Sequence, residues 1–579
     1  MAERLSNKEV VRFLNEAVAA MEIQGENKFS IRAYQNAMSA IDNLTTSVYD
    51  LWENERLSEI PGVGPGLEQH LNELFKTGRV KEWELKKKDL PEGMFELLVL
   101  RGVGAKTAHK LAMKFELAKR EGALDKIKEV AKAGKIKEIP GFGEKSESDI
   151  LESIQELKKS KQEKQRMLLH FAERVSDRVV AYLKESEDVK DAVPLGSLRR
   201  RNSTVGDIDI AVSSNKSEKV LEHFSKFPEI KDVESSGDRM STAILGNDVQ
   251  IDILVSDPDS FGSLLQHFTG SKQHNIKLRQ FALEKGMSLS QYGVKEDEKL
   301  KKFAQEEGFY RHIGLTWIPP EIREGTEEIE LAAKERLPDL AELKDIRGDL
   351  HIHTTDSDGV NSLEEMVQAA QELGYEYVAV TDHAPSVQNR GKYEVLGLIE
   401  AKRRQIEKLN ENGKIRVLYG YEVNILKDST LGMPDELLEK LDLVIASVHT
   451  AFDLPRKDAT KRLLSAIENP LVDIIGHPTG RQINQRSSMD LDWEKIFAAV
   501  QKTGKILEIN AQPQRLDLPD DLVKDAVKLG IKFAVNTDSH STGELNLLNY
   551  GIDVARRGWC TKDSIINTLP LEMLLKILV

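Results

Sequence analysis

Cysteine is nearly absent from these 579 residues. Cys560 stands alone, which excludes an internal disulfide framework and predicts a reducing, cytoplasmic setting. Long apolar runs are missing as well. No stretch reaches the roughly 18 consecutive apolar residues of a membrane helix, so no membrane partner is expected. The opening segment, MAERLSNKEVVRF, has no apolar signal core. There is no excess of positive charge either: the net charge is -14. That sum does not predict nucleic-acid binding, but local basic patches would still permit it. No coiled-coil pattern is visible, and a monomer is expected. What remains is an ordinary composition, 40% hydrophobic and 31% charged. Single cores rarely grow past about 250–300 residues, so several domains are predicted.

Up to about residue 150 the chain reads mainly helical, and one pattern recurs three times. Ile60-Pro61-Gly62-Val63-Gly64, Leu100-Arg101-Gly102-Val103-Gly104 and Ile139-Pro140-Gly141-Phe142-Gly143 each precede an amphipathic segment. Glycine permits a tight turn and a close backbone approach. The N–H groups that open the next helix then suit a phosphate. This is the helix-hairpin-helix pattern, a grip on the DNA backbone in which Gly62, Gly64, Gly102 and Gly104 are candidate DNA-binding residues. A plain turn between packed helices would explain one copy but not three. A dinucleotide fingerprint lacks its preceding strand and its spacing here.

The middle of the chain reads DAVPLGSLRRRNSTVGDIDIAV. Asp207 and Asp209 lie two apart in an apolar strand, so both carboxylates emerge on one face. A second strand, VQIDILV at 249–255, carries Asp252. If these strands are neighbours, three carboxylates converge on a hard-oxygen site suited to Mg²⁺. Two such ions would activate a hydroxyl and stabilise a leaving pyrophosphate. Gly196-Ser197 with Arg199, Arg200 and Arg201 supplies a turn, a hydroxyl and positive charge for a triphosphate.

After about residue 335 the texture changes to strand alternating with helix. Seven apolar strands stand out: DLHIHT, YVAVTDH, RVLYGYEV, LVIASVHT, VDIIGHP, KILEINA and KFAVNTDSH. Each carries a metal-capable residue within it or at its C-terminal end. Such alternation predicts a parallel barrel with helices outside, whose chemistry gathers at the C-terminal strand ends. The candidate metal ligands are His351, His353, Asp358, His383, Glu422, His449, His477, Asp538 and His540. All six histidines after residue 345 are among them. Imidazole with carboxylate favours Mn²⁺, Zn²⁺ or iron over Mg²⁺. So many donors exceed one ion's needs, which predicts two or three ions about 3.5–4 Å apart. Glu422 is the candidate bridge, and Asp356 is a turn residue. Asn510 and Arg481 would touch phosphate unless they merely cap loops.

GSLRRR, GDIDI, VQIDIL and LLQHFTGSKQHNIKLRQFALEKG at 264–286 together resemble a family X DNA polymerase over about residues 1–320. The resemblance implies Asp207, Asp209 and Asp252 as catalytic metal ligands. It implies Ser197, Arg200, Gly206 and Arg166 at the triphosphate. His267, Phe268 and Gly270 would line the sugar pocket, and Asn275 would reach the minor-groove edge of the nascent pair. Lys28, Arg32 and Tyr34 are implied 5′-phosphate contacts in a gap-binding, lyase-like front domain. Relatives that excise deoxyribose phosphate carry a Schiff-base lysine where His70 stands, and an imidazole forms no iminium. The HIH, TDH, GYE, VHT, GHP and TDSH motifs at about 336–579 resemble a PHP domain, the polymerase and histidinol phosphatase type. That implies hydrolysis of phosphate esters. Attachment to a polymerase favours DNA 3′ ends, with Mn²⁺-dependent 3′–5′ exonuclease or abasic-site activity.

The fold class expected is therefore multidomain: a helical helix-hairpin-helix front, an α+β nucleotidyltransferase palm with thumb, and a distorted (β/α)7 barrel. The expected bounds are 1–80 and 81–155 for two helical DNA-binding domains and 156–260 for the palm. A nascent-pair-binding subdomain follows at 261–318, then an acidic linker at 319–335 and the barrel at 336–579. The leading reading is a gap-filling repair polymerase with its own nuclease. It would act on gapped or nicked DNA with dNTP, using Mg²⁺ in the palm and Mn²⁺ or Zn²⁺ in the barrel. The alternative is a template-independent nucleotidyltransferase fused to a small-molecule phosphatase. The hairpin repeats and the FTGSKQHN stretch weigh against it. A scaffold with dead sites conflicts with two complete ligand sets.

Overall fold

A computed structural model describes residues 5–42, 44, 46–100, 102–160 and 166–578. Arg101 of the second glycine turn lies outside them. The chain divides into two compact units. The first runs to Met167 and adds Phe171–Pro194 and Gly206–Pro258; the second comprises Leu168–His170, Leu195–Val205 and Asp259–Val579.

In the first unit the front is helical, as expected, and holds two apolar cores. The opening helix, Asn7–Gln24, begins at a reciprocal cap between Ser6 and Glu9 and ends at the left-handed Gly25. Its Val10 and Leu14 join Leu51, Leu71, Leu74 and Trp83 in one core. Met94, Leu97, Leu111, Ile127 and Ile154 form the other. The palm sheet follows, with strands β1 (Asp191–Pro194), β2 (Ile208–Ser213), β3 (Ile230–Ser236), β4 (Met240–Leu245) and β5 (Gln250–Ser256). Their spatial order is β1-β2-β5-β4-β3. β2 and β5 pair in parallel; the other pairs are antiparallel.

The second unit carries the thumb-like region and the barrel. The stretch 319–335, expected as an acidic linker, is instead packed. Ile322, Ile329 and Ala332 share a core with Leu278, Phe309 and Tyr310. The acidic composition misled because its charges are paired internally. Glu328 is fully buried and accepts hydrogen bonds from the Gly325 and Thr326 N–H groups at 2.7 Å, while His274 Nδ1 lies 2.7 Å away. Arg323, also fully buried, donates to Glu306 at 2.7 Å and to the Ile318 carbonyl at 2.8 Å.

The barrel strands are β6 (Gly348–Ile352), β7 (Tyr377–Val380), β8 (Arg416–Asn424), β9 (Leu443–Ser447), β10 (Ile474–Ile475), β11 (Ile506–Asn510) and β12 (Phe533–Asn536). They stand in sequence order, all parallel, and helices intervene between most of them. A parallel bridge from Ile352 to Ser539 brings the last strand's end back to the first, so the barrel nearly closes. Leu350, Ala379, Leu418, Ile445, Ile474, Ile506 and Ala534 give it one continuous core. Each strand contributes apolar side chains to the interior and hands its C-terminal residues to the mouth.

Two stability outcomes follow. A Cβ at Gly348 would stand 2.2 Å from the Tyr377 carbonyl oxygen, where β6 begins. Gly348→Ala should cost about 1–3 kcal/mol by overpacking, read as a lower melting temperature of the barrel. The Glu306 carboxyl behaves differently. Burial alone would raise its pKa, but Arg323 and Arg199 beside it hold it down at about 2. Its folded value lies below the ordinary 4.5, so its stabilisation is present above pH 4.5 and fades as pH falls towards 2. Glu306→Gln should destabilise the second unit at neutral pH by about 3–5 kcal/mol. Denaturant titrations should show its gap to the parent narrowing across that acid window.

Candidate functional sites

The glycine turns take the geometry their sequence implied. Gly62, Gly102 and Gly141 have φ of 85°, 78° and 90°, a region glycine enters without steric cost. Gly62 is also required by proximity, since a Cβ there would meet the Ala37 nitrogen at 2.9 Å. Gly64 and Gly104 begin the helices Pro65–Thr77 and Ala105–Lys114 with no side-chain cap and open space around them. The opening amides of these helices, apart from Pro65, which has no N–H, are therefore uncapped by side chains. Between the second and third turns lies a cleft of about 300 Å³, lined by Gly102, Lys106, Lys110, Gly141 and Phe142 among others.

Lys28, Arg32 and Tyr34 share the helix Lys28–Asp42. Lys28 and Arg32 are exposed and one turn apart, hence on one face. Tyr34 is half-buried; its hydroxyl lies 2.6 Å from His70 Nδ1. His70 Nε2 lies 3.0 Å from Glu82. Tyr34, His70 and Glu82 therefore form a side-chain chain.

In the palm, β2 and β5 are neighbours, and Asp209 stands directly beside Asp252 in their parallel register. Asp207 sits just before β2. Asp252 is buried and accepts hydrogen bonds from Thr242 Oγ1 at 2.6 Å and Gln250 Nε2 at 2.9 Å. Those two fix its carboxylate at the strand's centre. Arg166 lies against Gly206: a Cβ on that glycine would be 3.3 Å from its Nη1.

In the second unit, Ser197 belongs to the one-turn helix Gly196–Arg199. The neighbouring arginines are more occupied than a free phosphate clamp would be. Arg199 donates to Thr269 Oγ1 at 2.6 Å and Glu306 Oε2 at 2.5 Å. Arg200 donates to the Thr269 carbonyl at 2.6 Å. Arg201 pairs with Asp553 at 2.7 Å. Gly270, with φ 70°, leaves room for Arg200: a Cβ there would lie 3.1 Å from its Nη1. His267 and Phe268 rings meet edge-on at 4.9 Å. Burial, with Arg279 nearby, lowers the His267 pKa. Asn275 is anchored by donating to the His267 carbonyl at 2.7 Å and accepting from Gln266 at 2.9 Å.

All nine candidate barrel ligands come together at the mouth. Glu422, 1% exposed, is their centre. Its Oε2 lies 2.9 Å from His383, 3.7 Å from His351 and 3.8 Å from His353; its Oε1 lies 2.9 Å from His477 and 3.2 Å from His449. Asp538 reaches His353 at 3.1 Å, and Asp358 reaches His540 at 3.2 Å and His383 at 3.4 Å. Among the described residues, three groups converge with every donor within 4.8 Å of the others. They are His353, Asp358, His383 and His540; His351, His353 and Asp538; and His383, Glu422 and His449. The palm aspartates form no such group.

Two further observations fit divalent metal ions. The Nε2 atoms of His351 and His353 and Oε2 of Glu422 are buried without a hydrogen-bond partner, which is costly unless something else occupies them. The charges are also strongly coupled. Burial would lower the His351 pKa, yet Glu508, Asp538 and Glu422 raise it well above its ordinary value. Burial would raise that of Glu422, yet His351 and the other imidazoles pull it well below.

The sequence reading missed the supports of this site. Glu508 on β11 takes His351 Nδ1 at 2.7 Å and the His477 N–H at 2.7 Å, orienting two ligands from behind. Asn510 donates to Glu508 at 3.2 Å and Asp538 at 3.1 Å, so it holds carboxylates rather than phosphate. Arg481 is tied to the Arg515 and Leu516 carbonyls. The guanidinium that does face the donors is Arg515, 3.7 Å from Asp538. Asp356 is a turn residue, as expected, pinned by Lys402 at 2.6 Å. An acidic residue in a strand was the visible signal for Glu508; nothing local marked Arg515.

Comparison with known proteins agrees with this geometry. Residues 5–80 match a helix-hairpin-helix domain and 94–156 a SAM-like helix-hairpin-helix tandem. Residues 264–324 match the DNA polymerase beta thumb and 349–512 the PHP domain. The chain is 35% identical over 573 residues to the DNA polymerase/3′-5′ exonuclease PolX of Bacillus subtilis (strain 168), covering 98% of both. It is also 31% identical over 231 residues to a probable phosphatase of Thermoanaerobacter sp. (strain X514), covering 38% of this chain and 89% of that one. Similarity over the full length to the first relative, with a beta-type thumb and a PHP domain in one polypeptide, shows that the chain belongs to the bacterial family X DNA polymerases with a C-terminal PHP domain.

Proposed function

We propose that this enzyme is a DNA-directed DNA polymerase that fills short gaps during repair, and that its barrel is a metal-dependent 3′–5′ exonuclease acting on DNA 3′ ends. The observation that carries the reading is the presence in one chain of two chemically distinct sites. One is an all-carboxylate palm with Asp209 beside Asp252; the other is a histidine-rich barrel mouth centred on Glu422. Residues 1–80 and 81–155 are taken to hold gapped or nicked DNA through Gly62, Gly64, Gly102 and Gly104, with Lys28 and Arg32 on the 5′-phosphate. Tyr34 serves there through His70. The setting is taken as cytoplasmic and the protein as a monomer.

In the palm, Asp207, Asp209 and Asp252 would hold Mg²⁺, whose role is to ease ionisation of the primer hydroxyl and neutralise the departing pyrophosphate. Thr242 and Gln250 keep Asp252 in register for that task. Ser197, Arg200, Gly206 and Arg166 take the triphosphate of the incoming dNTP. His267, Phe268 and Gly270 shape the sugar pocket, and Asn275, fixed to the helix Phe261–Thr269, presents its amide to the nascent pair.

In the barrel, His351, His353, Asp358, His383, Glu422, His449, His477, Asp538 and His540 would hold two or three Mn²⁺ or Zn²⁺ ions, which supply water activation and charge neutralisation at a phosphodiester. Glu422 would serve more than one of these ions, because its two oxygens face separate sets of imidazoles. Glu508 keeps His351 in the tautomer that points Nε2 inward. Arg515 supplies fixed positive charge for the substrate phosphate. The likeness of the probable phosphatase supports phosphate-ester hydrolysis as the barrel's class of chemistry.

A gapped duplex offered with dNTPs and Mg²⁺ or Mn²⁺ tests the assignment. Asp207→Ala should cut primer extension by at least about 100-fold, the scale of losing a charge-stabilising group, and leave 3′ degradation intact. His351→Ala should do the reverse; loss of both activities in either variant would sink the two-site reading. Chelation should silence both activities, with Mg²⁺ restoring extension and Mn²⁺ or Zn²⁺ restoring degradation. Borohydride reduction in the presence of a 5′-deoxyribose-phosphate end should trap no adduct at position 70, since His70 offers no primary amine. A trapped adduct on the front domain would contradict this.

A further inference from the structure

The turn that carries Ser197 and Arg200 is held from behind by the barrel. The helix Leu548–Arg557 follows the last barrel strand and presents Tyr550, Asp553 and Arg557 at helical spacing along one face. Asp553 takes the Arg201 guanidinium at 2.7 Å, and the same guanidinium lies 5.9 Å from the Tyr550 ring centre. Arg557, only 7% exposed, donates to the Arg200 carbonyl at 2.8 Å and to Glu324 Oε1 at 3.1 Å. Arg200 donates to that same Glu324 oxygen through Nε at 3.3 Å. One carboxylate oxygen is thus shared between the barrel's arginine and the arginine read as a triphosphate ligand. Arg557 is itself fixed by Asp520, 2.7 Å away on the helix Asp520–Lys528. Beside it, Arg556 ties the same helix to Glu321 at 2.8 Å.

The chain of dependence runs in one direction. A guanidinium whose other donors are held by protein acceptors is pre-oriented for a phosphate. The Thr269 carbonyl and Glu324 are such anchors for Arg200. The second is set by Arg557. The backbone of Arg200 is set by Arg557 too, and the next residue is set by Asp553.

We propose that the barrel helix Leu548–Arg557 is a positioning element of the polymerase site. Arg557, through Glu324 and the Arg200 carbonyl, and Asp553, through Arg201, hold Ser197 and Arg200 where they receive the polyphosphate of a nucleoside triphosphate. This rests on the assignment of Ser197 and Arg200 to the triphosphate. Neither Arg557 nor Asp553 meets substrate; both act through the turn. The barrel therefore serves nucleotide addition structurally, apart from its own hydrolysis.

The test uses the full chain and steady-state filling of a one-nucleotide gap at fixed Mg²⁺. Arg557→Met should raise the KM for dNTP about tenfold, the scale of losing a hydrogen bond to a charged group, while kcat changes much less. Arg557→Lys should recover part of that loss. Asp553→Asn, a near-isosteric change that keeps the helix, should also raise KM. Exonuclease rate on single-stranded DNA should stay at the parental level in all three, which also reports that the barrel is folded. Because Arg557 acts largely through the Arg200 side chain, the double variant Arg200→Ala with Arg557→Met should lose less than the product of the two single losses. If Arg200→Ala raises KM while Arg557→Met and Asp553→Asn leave it unchanged, the positioning role is overturned. Multiplicative losses in the double variant would overturn it as well. If Arg200→Ala itself leaves KM unchanged, the triphosphate assignment fails first and takes the proposal with it. Should Arg557→Met fail to fold, as lost exonuclease would reveal, Asp553→Asn alone decides.

Discussion

Glu422 keeps a carboxylate at 1% exposure with five imidazoles within 3.8 Å of its two oxygens. A lone ionised carboxylate in such a place would be prohibitively costly. It survives because several strands deliver a compensating group to the same height. His351 is in β6 and His353 just beyond it; His449 and His477 follow β9 and β10, and Glu422 itself lies in β8. A parallel barrel is the architecture that collects many strand C-termini in one place, so the electrostatics of this one residue depend on the whole ring of strands. The supports behind the ligands belong to the same arrangement. Glu508 and Asn510 lie on β11, and Asp382, at the end of β7, gathers Thr354 and Ser357 into the turn that carries Asp358. A ligand shell with so many charges needs this backing to stay in one geometry.

The thumb-like region solves the same problem without a metal. Arg323 and Glu306 are buried together, with Arg199 as the third partner. His274 lies between Glu328 and Tyr310. Pairing of this kind adds little net stability over an apolar core of equal volume, but breaking it leaves an uncompensated charge. What it contributes is position. Arg199 and Thr269 are locked to each other, and Thr269 in turn offers its carbonyl to Arg200. The segment Leu195–Val205, which reads in sequence as part of the palm, is compact with this region and the barrel. Its three arginines reach Thr269, Glu306, Glu324 and Asp553 in the second unit.

Legibility in the sequence followed the range of the interactions. The seven barrel strands and their nine candidate ligands were readable because each strand is a short apolar run with its own metal-capable residue within it or at its end. Asp209 beside Asp252 was readable because period-two alternation fixes the face and apolar flanks fix the strand. The hairpin glycines announced themselves by repetition. What stayed hidden depends on partners far away in sequence. Arg201 was read as free positive charge, yet its acceptor Asp553 lies 352 residues on. The stretch 319–335 was read as a solvated linker because it is acidic, yet His274, 54 residues before Glu328, turns one of those charges inward. Arg481 and Arg515 look equivalent in sequence. Only the fold of the 512–518 loop decides that the first binds carbonyls and the second faces the ligands.

The two sites differ in donor chemistry for a physical reason. Hard carboxylates suit Mg²⁺, which keeps its waters and accepts phosphate oxygens as ligands; imidazole clusters retain softer divalent ions with little help from substrate. A chain that both extends and trims a 3′ end carries two donor sets, one of carboxylates and one rich in imidazole. Chemical independence does not require structural independence. The helix Leu548–Arg557 begins soon after the candidate ligands Asp538 and His540 and ends against the Arg200 carbonyl. Between them, Glu544 accepts the His540 N–H at 2.7 Å, so one stretch of chain meets the candidate metal cluster at its start and the turn that carries Arg200 at its end. Fusion of the two activities is then more than tethering: the helix that follows the last barrel strand holds the Leu195–Val205 turn in place.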